Sequence, residues 1–556
     1  MKKILYSLAL VMSATLASCD DFLTEDARGT ENLDTYFQNE DEASSYLNGC
    51  YQALTYNGWW QIYNPWLMFD MVTDDLWMGN TSQSPDYTNI VFFQSDGANN
   101  GELSNFWQYR YKGITNCNIA IARTPNANMD ETLRTRFIAE ARFLRAYFYF
   151  DLVKNFGGVP LLTELTMPND LEHVSRSSQD DCYAFIESEL KEVADILPER
   201  SKYPSADMGR ATRGAALGFL GKAQLYQGKW AEAKATLKKI IDSGEYELLE
   251  NFGDVWSVNT NNSKESLFEV QTMYNGDLYA TGGSLTVVTG CRNGVGDGWS
   301  WGQPTSDLEN AYIKAGDTER LRWTIIKTGC TEIAGEDQFD QFIANNESGI
   351  SKTQFEVYKQ ELGWTDDMYT STYLIDPSQH KSARIIRKFF VPLADRPEVY
   401  NIDKIPLNHR LLRYADVLLM YAEACNETGD DAEARTALNQ VRARVGLAAV
   451  TSSGHTLRDA IRTERRLELA CEHQRLYDLR RWDCDNGKKM MCNIMGKNGT
   501  FVQYNLSDEA DIYEKWNQKE SSDKGYNFRE DRDLLFPIPL YEIQNSNGMI
   551  EQNPNW

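Results

Sequence analysis

The apolar positions between residues 138 and 162 predict a helix that is buried on nearly every side. Apolar side chains recur at helical spacing on one face, and their neighbours widen that face until the middle of the helix has no polar side. The face consists of Phe143, Ala146, Tyr147, Phe150 and Val153, widened by Leu144, Phe148 and Leu152. Gly157, Gly158 and Pro160 predict a sharp stop, because glycine ends helices and proline cannot continue them. We therefore expect a core helix that does not contact ligand.

Two later segments have the pattern of helical hairpins, residues 211–246 and 409–447. Each has an apolar stripe, small residues at the crossing of the two helices, and a turn at Gly228 or Gly429. This layout is typical of tetratricopeptide units. We expect both hairpins to pack beside the buried helix. Other predicted helices cover residues 40–54, 180–197 and 457–482.

The segment 457–482 is predicted to be one long charged helix. It has seven arginines and five acids, so its charges nearly balance. Opposite charges lie three residues apart, a spacing that pairs side chains along a helix. The pairs are Asp459/Arg462, Arg465/Glu468, Glu472/Arg475 and Asp478/Arg481. Acids that alternate with arginines argue against a nucleic-acid surface.

Residues 81–100 and 252–400 lack helical periodicity and are rich in Gly, Asn and Asp. They predict a surface loop and a loop-rich lobe with a few strands, one of them at 266–271. Loops on a rigid scaffold are where binding residues concentrate. Two clusters of aromatic and polar side chains in such contexts are our candidate ligand site. They comprise Trp59, Asp74, Asp75, Trp77 and Asn80 in the first, and Cys291, Arg292, Asn293, Trp299 and Trp301 in the second.

Composition narrows the class of ligand. The 556 residues carry a formal charge of −25, which repels phosphates and disfavours nucleic acid as a partner. Aromatic residues make up 12% of the chain. An acidic, aromatic-rich surface suits a neutral, hydroxyl-rich ligand such as a sugar, although acidity also simply keeps a secreted protein soluble.

The first residues predict export. A basic start at Lys2 and Lys3 precedes an apolar stretch, residues 4–17, that is too short to span a membrane. Small residues before Cys19 are typical of a bacterial lipobox, in which the peptide is cut before Cys19 and this cysteine carries the lipid. The alternative is an ordinary signal peptide with a coincidental cysteine. Export permits disulfides, and Cys484 and Cys492 could pair locally.

Catalytic and metal motifs are weak in this sequence. Its five histidines are scattered, without metal-ligand spacing, and residues 294–298 do not form a phosphate-binding motif. A glycosidase needs two carboxylates that flank one bond, and adjacent Asp74 and Asp75 are expected to diverge. We therefore expect no enzyme, cofactor or metal. A surface glycosidase and a protein-binding helical scaffold remain the alternatives.

Taken together, these segments resemble the SusD/RagB family of surface glycan-binding lipoproteins. The resemblance runs along the chain: the lipobox at Cys19, the helix at 42–54, RAYFYFDLVKNFGGVP at 145–160, the hairpin at 210–246, LRYADVLLMYAE at 412–423, ERRLELACEHQRLYDLRRW at 464–482, and FPIP followed by the QNPNW ending. One departure is Asn555, where many relatives carry glycine. Asparagine tolerates positive φ better than most residues, so the departure changes little.

The resemblance implies a mostly α-helical fold, in which tetratricopeptide-like helix pairs form a SusD-like α-superhelix and carry a loop-rich lobe with a few short strands. It implies a protein anchored by lipid at Cys19 on the outer face of the outer membrane. Such a protein binds oligosaccharide or polysaccharide without catalysis and delivers it to a SusC-like TonB-dependent transporter, acting as its lid. The expected parts are a signal peptide (1–18), an acidic tether (19–39), an N-terminal SusD-like helical region (40–250) and a C-terminal RagB/SusD region (251–556) with its lobe (251–400) and helical scaffold (405–485).

Overall fold

The computed structural model describes residues 36–55, 64–79, 85–94, 97–166, 174–273, 283–290, 298–327, 382, 384–391, 405–501 and 526–556. Within these ranges helices dominate and strands are short. The helices are α1 (Glu40–Gln52), α2 (Asn64–Met71), α3 (Pro85–Val91), α4 (Gly101–Arg123), α5 (Glu131–Phe156), α6 (Gln179–Ala194), α7 (Arg213–Tyr226), α8 (Trp230–Ser243), α9 (Leu285–Thr289), α10 (Ser306–Ala315), α11 (Thr318–Thr324), α12 (Tyr414–Glu427), α13 (Asp431–Arg444), α14 (Gly454–Leu469), α15 (Arg475–Arg481), α16 (Met490–Met495), α17 (Glu530–Asp533) and α18 (Leu540–Asn545). The strands are β1 (Leu76–Gly79), β2 (Ser266–Val270), β3 (Trp301–Pro304), β4 (Ile325–Lys327), β5 (Arg384–Ile386) and β6 (His409–Arg413).

The predicted buried helix is α5, and it begins seven residues before the apolar pattern does. Its N-terminus is capped by the side chain of Asp130, which accepts a hydrogen bond from the Leu133 backbone at 2.9 Å. Its apolar half is buried on all sides, as predicted. It stops at Gly157, whose φ of +74° favours glycine. A Cβ at Gly158 would lie 2.1 Å from a backbone oxygen of Ser177, so both glycines are needed at this stop.

Helices α4 to α8 each pack against the next, and α12 continues the series by packing on α8 and then on α13 and α14. This confirms the tetratricopeptide-like scaffold. Close crossings explain its small residues: a Cβ at Gly221 in α7 would lie 2.6 Å from the Leu237 side chain in α8. The first hairpin contacts α5 directly, with Phe219 5.1 Å from Tyr147 between ring centroids. The second hairpin packs on the first one instead of on α5, so our expectation was wrong for that pair.

The prediction of one long helix at 457–482 is wrong. The structure has two helices, α14 and α15, separated at 470–474 by Cys471 and His473, which have φ values of +64° and +61°. Buried contacts hold this strained turn in place. Nδ1 of His473 lies 2.8 Å from an Asp70 oxygen, and its ring stacks near Trp66.

The charges on this segment also pair differently from the prediction. Asp478 and Arg481 do pair along α15, at 2.7 Å. The buried carboxylate of Glu468 instead contacts Arg320 of α11 at 2.9 Å, Arg413 at 2.6 Å, and Arg444 of α13. Because these side chains are almost fully buried, their charges are satisfied between elements and not along one helix surface.

The remaining described segments show further differences. Helix α3 lies within the predicted surface loop 81–100, helix α4 was not anticipated, and the second hairpin is preceded by β6. The strands form three antiparallel pairs, β1–β3, β2–β6 and β4–β5. Strand β2 confirms the strand predicted at 266–271, one residue shorter. Asn555 adopts a φ of +64°, as its substitution for glycine suggested.

Cys484 and Cys492 are both unpaired, so the suggested local disulfide is not formed. In the ranges that the structure covers, every helix is too short or too polar to cross a membrane. The signal peptide, Cys19 and most of the tether lie outside the described residues.

Candidate functional site

Strand pairing brings the two predicted aromatic clusters together. Strands β1 and β3 are antiparallel, with Trp77 opposite Gln303 and Gly79 opposite Trp301. The backbones approach so closely that a Cβ at Gly79 would lie 2.2 Å from the Ser300 oxygen, and Gly79 has a φ of +90°. This pairing therefore places the described tryptophans of the two clusters on or next to neighbouring strands.

The three described tryptophans of these clusters differ in exposure. Trp77 is 2% exposed and Trp301 is 7% exposed, with the Trp301 ring edge-on to Tyr87 at 4.8 Å between centroids. Trp299 is half-buried, and its backbone nitrogen donates a hydrogen bond to the Val287 oxygen at 2.8 Å. Trp299 is therefore the most exposed member of this trio, while Trp77 and Trp301 are packed into the interior.

Asp74 and Asp75 are buried at the bend before β1, and their position revises the role expected for them. Arg475 holds Asp74 with two hydrogen bonds of 2.8 Å, and Arg466 contacts Asp75 at 2.8 Å and Asp74 at 3.1 Å. The two carboxylates do not diverge as expected, since they converge on the same arginine. Two buried acids held by arginines cannot face a ligand directly, and they fix the chain that leads into β1.

The pKa values of the two carboxyl groups in this pair are shifted in opposite directions. Burial alone would raise the pKa of Asp74, but Arg466 and Arg475 outweigh burial and hold the pKa well below its usual range. The pKa of Asp75 is raised, because burial and the adjacent Asp74 charge outweigh the same arginines. The backbone of this bend is also fixed to the start of α10, where Thr305 donates its hydroxyl to the Asp74 oxygen at 2.7 Å.

The other predicted contacts, namely Trp59, Asn80, Cys291, Arg292 and Asn293, lie outside the described residues. Their assignment to the ligand site stays a prediction. No cluster of three or more possible metal ligands occurs among the residues whose positions are described.

A groove of about 630 Å³ lies beside α10, α14 and α16, and sequence reasoning missed it. Its lining includes Arg466 and Arg475, the two arginines that hold Asp74 and Asp75. Apolar side chains also line it, among them Leu467 and Met490, together with the charged residues Lys314 and Arg462. No sequence pattern indicated this groove, because its lining residues come from three separate stretches of sequence.

Comparison with known proteins places this chain in a family. The model of the SusD family matches residues 264–556, and a second model, described as starch-binding and associating with the outer membrane, matches residues 21–225. A tetratricopeptide-repeat model matches residues 220–243. The chain belongs to the SusD family.

Individual relatives are similar to this chain over most of its length. A SusD-like protein of Bacteroides ovatus is 28% identical over 87% of this chain and 83% of its own, and SusD-like protein P2 of Formosa agariphila is 24% identical over 98% of both. Among solved structures, a laminarin-binding SusD-like protein superposes with a TM-score of 0.70 at 26% identity, covering 94% of this chain and all of that one. A SusD-like carbohydrate-binding protein of Bacteroides fragilis shares the fold, with a TM-score of 0.73 at 22% identity over 93% of this chain and all of its own.

Proposed function

We propose that this SusD-family protein binds an oligosaccharide or polysaccharide without cleaving it, at the surface built around β1 and β3. The observation that carries the proposal is the partial exposure of Trp299, two residues before β3, next to a strand pair in which Trp77 and Trp301 are buried. Sugars stack their CH faces on aromatic rings, and a partly buried ring loses less conformational freedom on binding than a fully exposed one. The laminarin-binding relative supports a glycan as the ligand class.

In this proposal Trp299 stacks on the sugar, and Trp59, Asn80, Cys291, Arg292 and Asn293 supply further contacts. Trp77 and Trp301 position the stacking ring. Asp74 and Asp75 act indirectly, because their ion pairs with Arg466 and Arg475 set the path of the chain into β1. A neutral glycan fits the acidic chain better than a sulfated or phosphorylated one.

Isothermal titration against a panel of neutral glycans tests this function. Laminari-oligosaccharides are the first probes, because a relative that binds laminarin shares the fold. Heat of binding followed by recovery of intact oligosaccharide supports capture. Shortened products in the recovered material would identify a glycosidase instead, and silence across the panel would favour a protein-binding scaffold.

The cellular setting is a further part of the proposal. The lipobox supports a lipid at Cys19, and the family model associated with the outer membrane supports that membrane as the location. A lipid contributes about 0.8 kcal/mol per buried CH₂, so several acyl chains can hold the protein on a bilayer. From there the protein delivers glycan to a SusC-like TonB-dependent transporter, over which it closes as a lid.

One observation favours the protein-binding alternative. The groove beside α10 and α14 combines apolar side chains, including Ala311, Ala315 and Leu467, with charged ones such as Lys314 and Asp459. Apolar surface bordered by charge is typical of protein contacts. The glycan panel distinguishes this alternative, because a protein scaffold gives no heat with any sugar.

A further inference from the structure

Arg480 is a buried arginine whose surroundings differ from those of its neighbours in α15. Asp478 and Arg481 point toward α12 and α14, where Arg481 pairs with Glu423 at 2.5 Å. Arg480 is 7% exposed and points the other way, with its guanidinium 4.3 Å from the centre of the Phe536 ring. It therefore lies at the contact between α15 and the segment that follows α17.

The guanidinium of Arg480 lacks hydrogen-bond acceptors. Its Nε and both terminal nitrogens are buried without an acceptor anywhere in the described part of the chain, and no carboxylate there lies within ion-pair distance. Tyr477 and Asp533 act on it electrostatically, and Asp533 is the carboxylic acid of the two. That carboxylate is already engaged, by Nε of Arg532 at 2.6 Å and by the Arg529 backbone nitrogen at 2.7 Å.

A small cavity borders this guanidinium. It measures about 10 Å³, enough for roughly one water-sized particle. Its walls come from α3 (Asn89 and Ile90), from the start of α4 (Leu103), and from the C-terminal segment (Pro537 and Trp556). Two neighbouring helices near the N-terminus and the C-terminal segment therefore meet around one buried cation.

The side chains around the cavity leave one cation unpaired. Arg480, Arg532 and Asp533 are all buried, and Asp533 is already paired with Arg532, so Arg480 is left without a side-chain partner among the described residues. Burial lowers the pKa of Arg480 to about 10, so the group is still charged at neutral pH. Burying a charge with unfilled donors is costly, and the Phe536 ring offsets part of that cost by a cation–π contact. A water molecule would satisfy donors but leave the charge, whereas an anion supplies both.

We propose that Arg480 binds one small inorganic anion of the size and charge of chloride in this cavity. The anion accepts hydrogen bonds from the guanidinium and neutralises the unpaired charge of Arg480. It links α15 to α3, α4 and the C-terminal segment, so its occupancy stabilises that corner of the fold. A monatomic anion fits this cavity better than sulfate or phosphate, because the space holds roughly one particle of about the size of water.

A crystal grown in bromide tests the site directly, since bromide replaces chloride and scatters anomalously. We expect an anomalous peak in contact with the Arg480 guanidinium. Bromide peaks at surface positions alone, with none at Arg480, would overturn the proposal. An equal peak in crystals of Arg480→Met would overturn it as well.

Thermal unfolding at matched ionic strength gives a second measurement. The wild-type protein should unfold at a higher temperature in chloride than in gluconate, by on the order of 2 °C for near-saturating anion. Arg480→Met should unfold at the same temperature in both salts, because a methionine of similar length needs no counter-ion. Arg142→Met is the matched control: Arg142 is half-buried and paired with Glu189, so the chloride effect should persist in that variant. Equal unfolding temperatures of the wild type in the two salts would contradict the proposal.

Discussion

Glu468 is the centre of a buried charge cluster, and its substitution by glutamine is the sharpest stability test that the fold offers. The carboxylate is fully buried and contacts Arg320, Arg413 and Arg444, which come from α11, β6 and α13. Glu468→Gln keeps the volume and removes the charge. It also places the NH₂ group of the glutamine, a hydrogen-bond donor, against arginine side chains, which have no acceptor atoms.

The expected loss can be bounded from the contacts. Breaking one side of a buried ion pair costs about 3–5 kcal/mol. Each arginine keeps another acid, since Arg320 also contacts Asp317 and Glu464, while Arg413 and Arg444 both contact Glu265. We therefore expect the free energy of unfolding to fall by an amount near the lower end of that range, about 3 kcal/mol. The total free energy of unfolding is usually about 5–15 kcal/mol.

Urea unfolding followed by circular dichroism measures this loss. The urea concentration at the midpoint of unfolding should fall, while the slope of the unfolding free energy against urea concentration stays unchanged. Glu232→Gln is the matched control, because Glu232 is exposed in α8 and its substitution should leave the unfolding free energy nearly unchanged. A Glu468→Gln variant as stable as the control would refute the account of a buried charge cluster whose members depend on one another.

The same cluster predicts a pH dependence. Burial alone would raise the pKa of Glu468, but Arg444, Arg413 and Arg320 hold it well below its usual range. An unfolded glutamate titrates near about 4.3. The stabilisation from Glu468 is therefore complete above that pH and is lost as the pH falls toward the lower folded pKa. The wild type should lose stability more steeply below about pH 4 than Glu468→Gln does.

Two further predictions concern the site and the anchor. Gly79→Ala should lower both the unfolding temperature and the glycan affinity, because its Cβ would meet the Ser300 oxygen at 2.2 Å and force β1 from β3. Gly429→Ala is its control: Gly429 also has a positive φ but has open space, so calorimetry and titration should show only the strain of about 1–2 kcal/mol and unchanged binding. Equal effects of the two substitutions would contradict the role of the β1–β3 contact. Cys19→Ala should move the protein from the membrane fraction to the soluble fraction of cells, and continued membrane association would exclude the lipid as its anchor.

The elements that sequence patterns predicted best are those whose stability depends on local apolar spacing. Helix α5 and both helical hairpins follow from apolar residues at helical spacing and from glycines at their ends. The segment 457–482 misled us because opposite charges three residues apart have the same spacing whether they pair with one another or with other elements. Burial decides between the two, and burial depends on packing that one segment does not encode. The turn at Cys471 and His473 was missed for the same reason, since long-range contacts hold it.

The candidate site shows the same limit. Its aromatic composition and loop context could be recognised from sequence, and the described tryptophans of the two clusters lie on or next to neighbouring strands. Sequence spacing could not tell that Trp77 would be buried and Trp299 half-exposed, because adjacent strands from distant segments decide which face is covered. Nor could it show that Asp74 and Asp75 form ion pairs with Arg466 and Arg475, about 400 residues further along the chain.

The central claim is that the ring of Trp299 holds a glycan. Titration of the wild type, Trp299→Ala and Trp230→Ala with the glycan that binds best from the panel tests it most directly. Trp230 is a half-buried tryptophan in the helical scaffold, so its substitution controls for loss of a large ring. We predict that Trp299→Ala weakens binding by about tenfold, equivalent to about 1.4 kcal/mol, and that Trp230→Ala binds as the wild type does. Equal affinities of Trp299→Ala and the wild type would contradict the account.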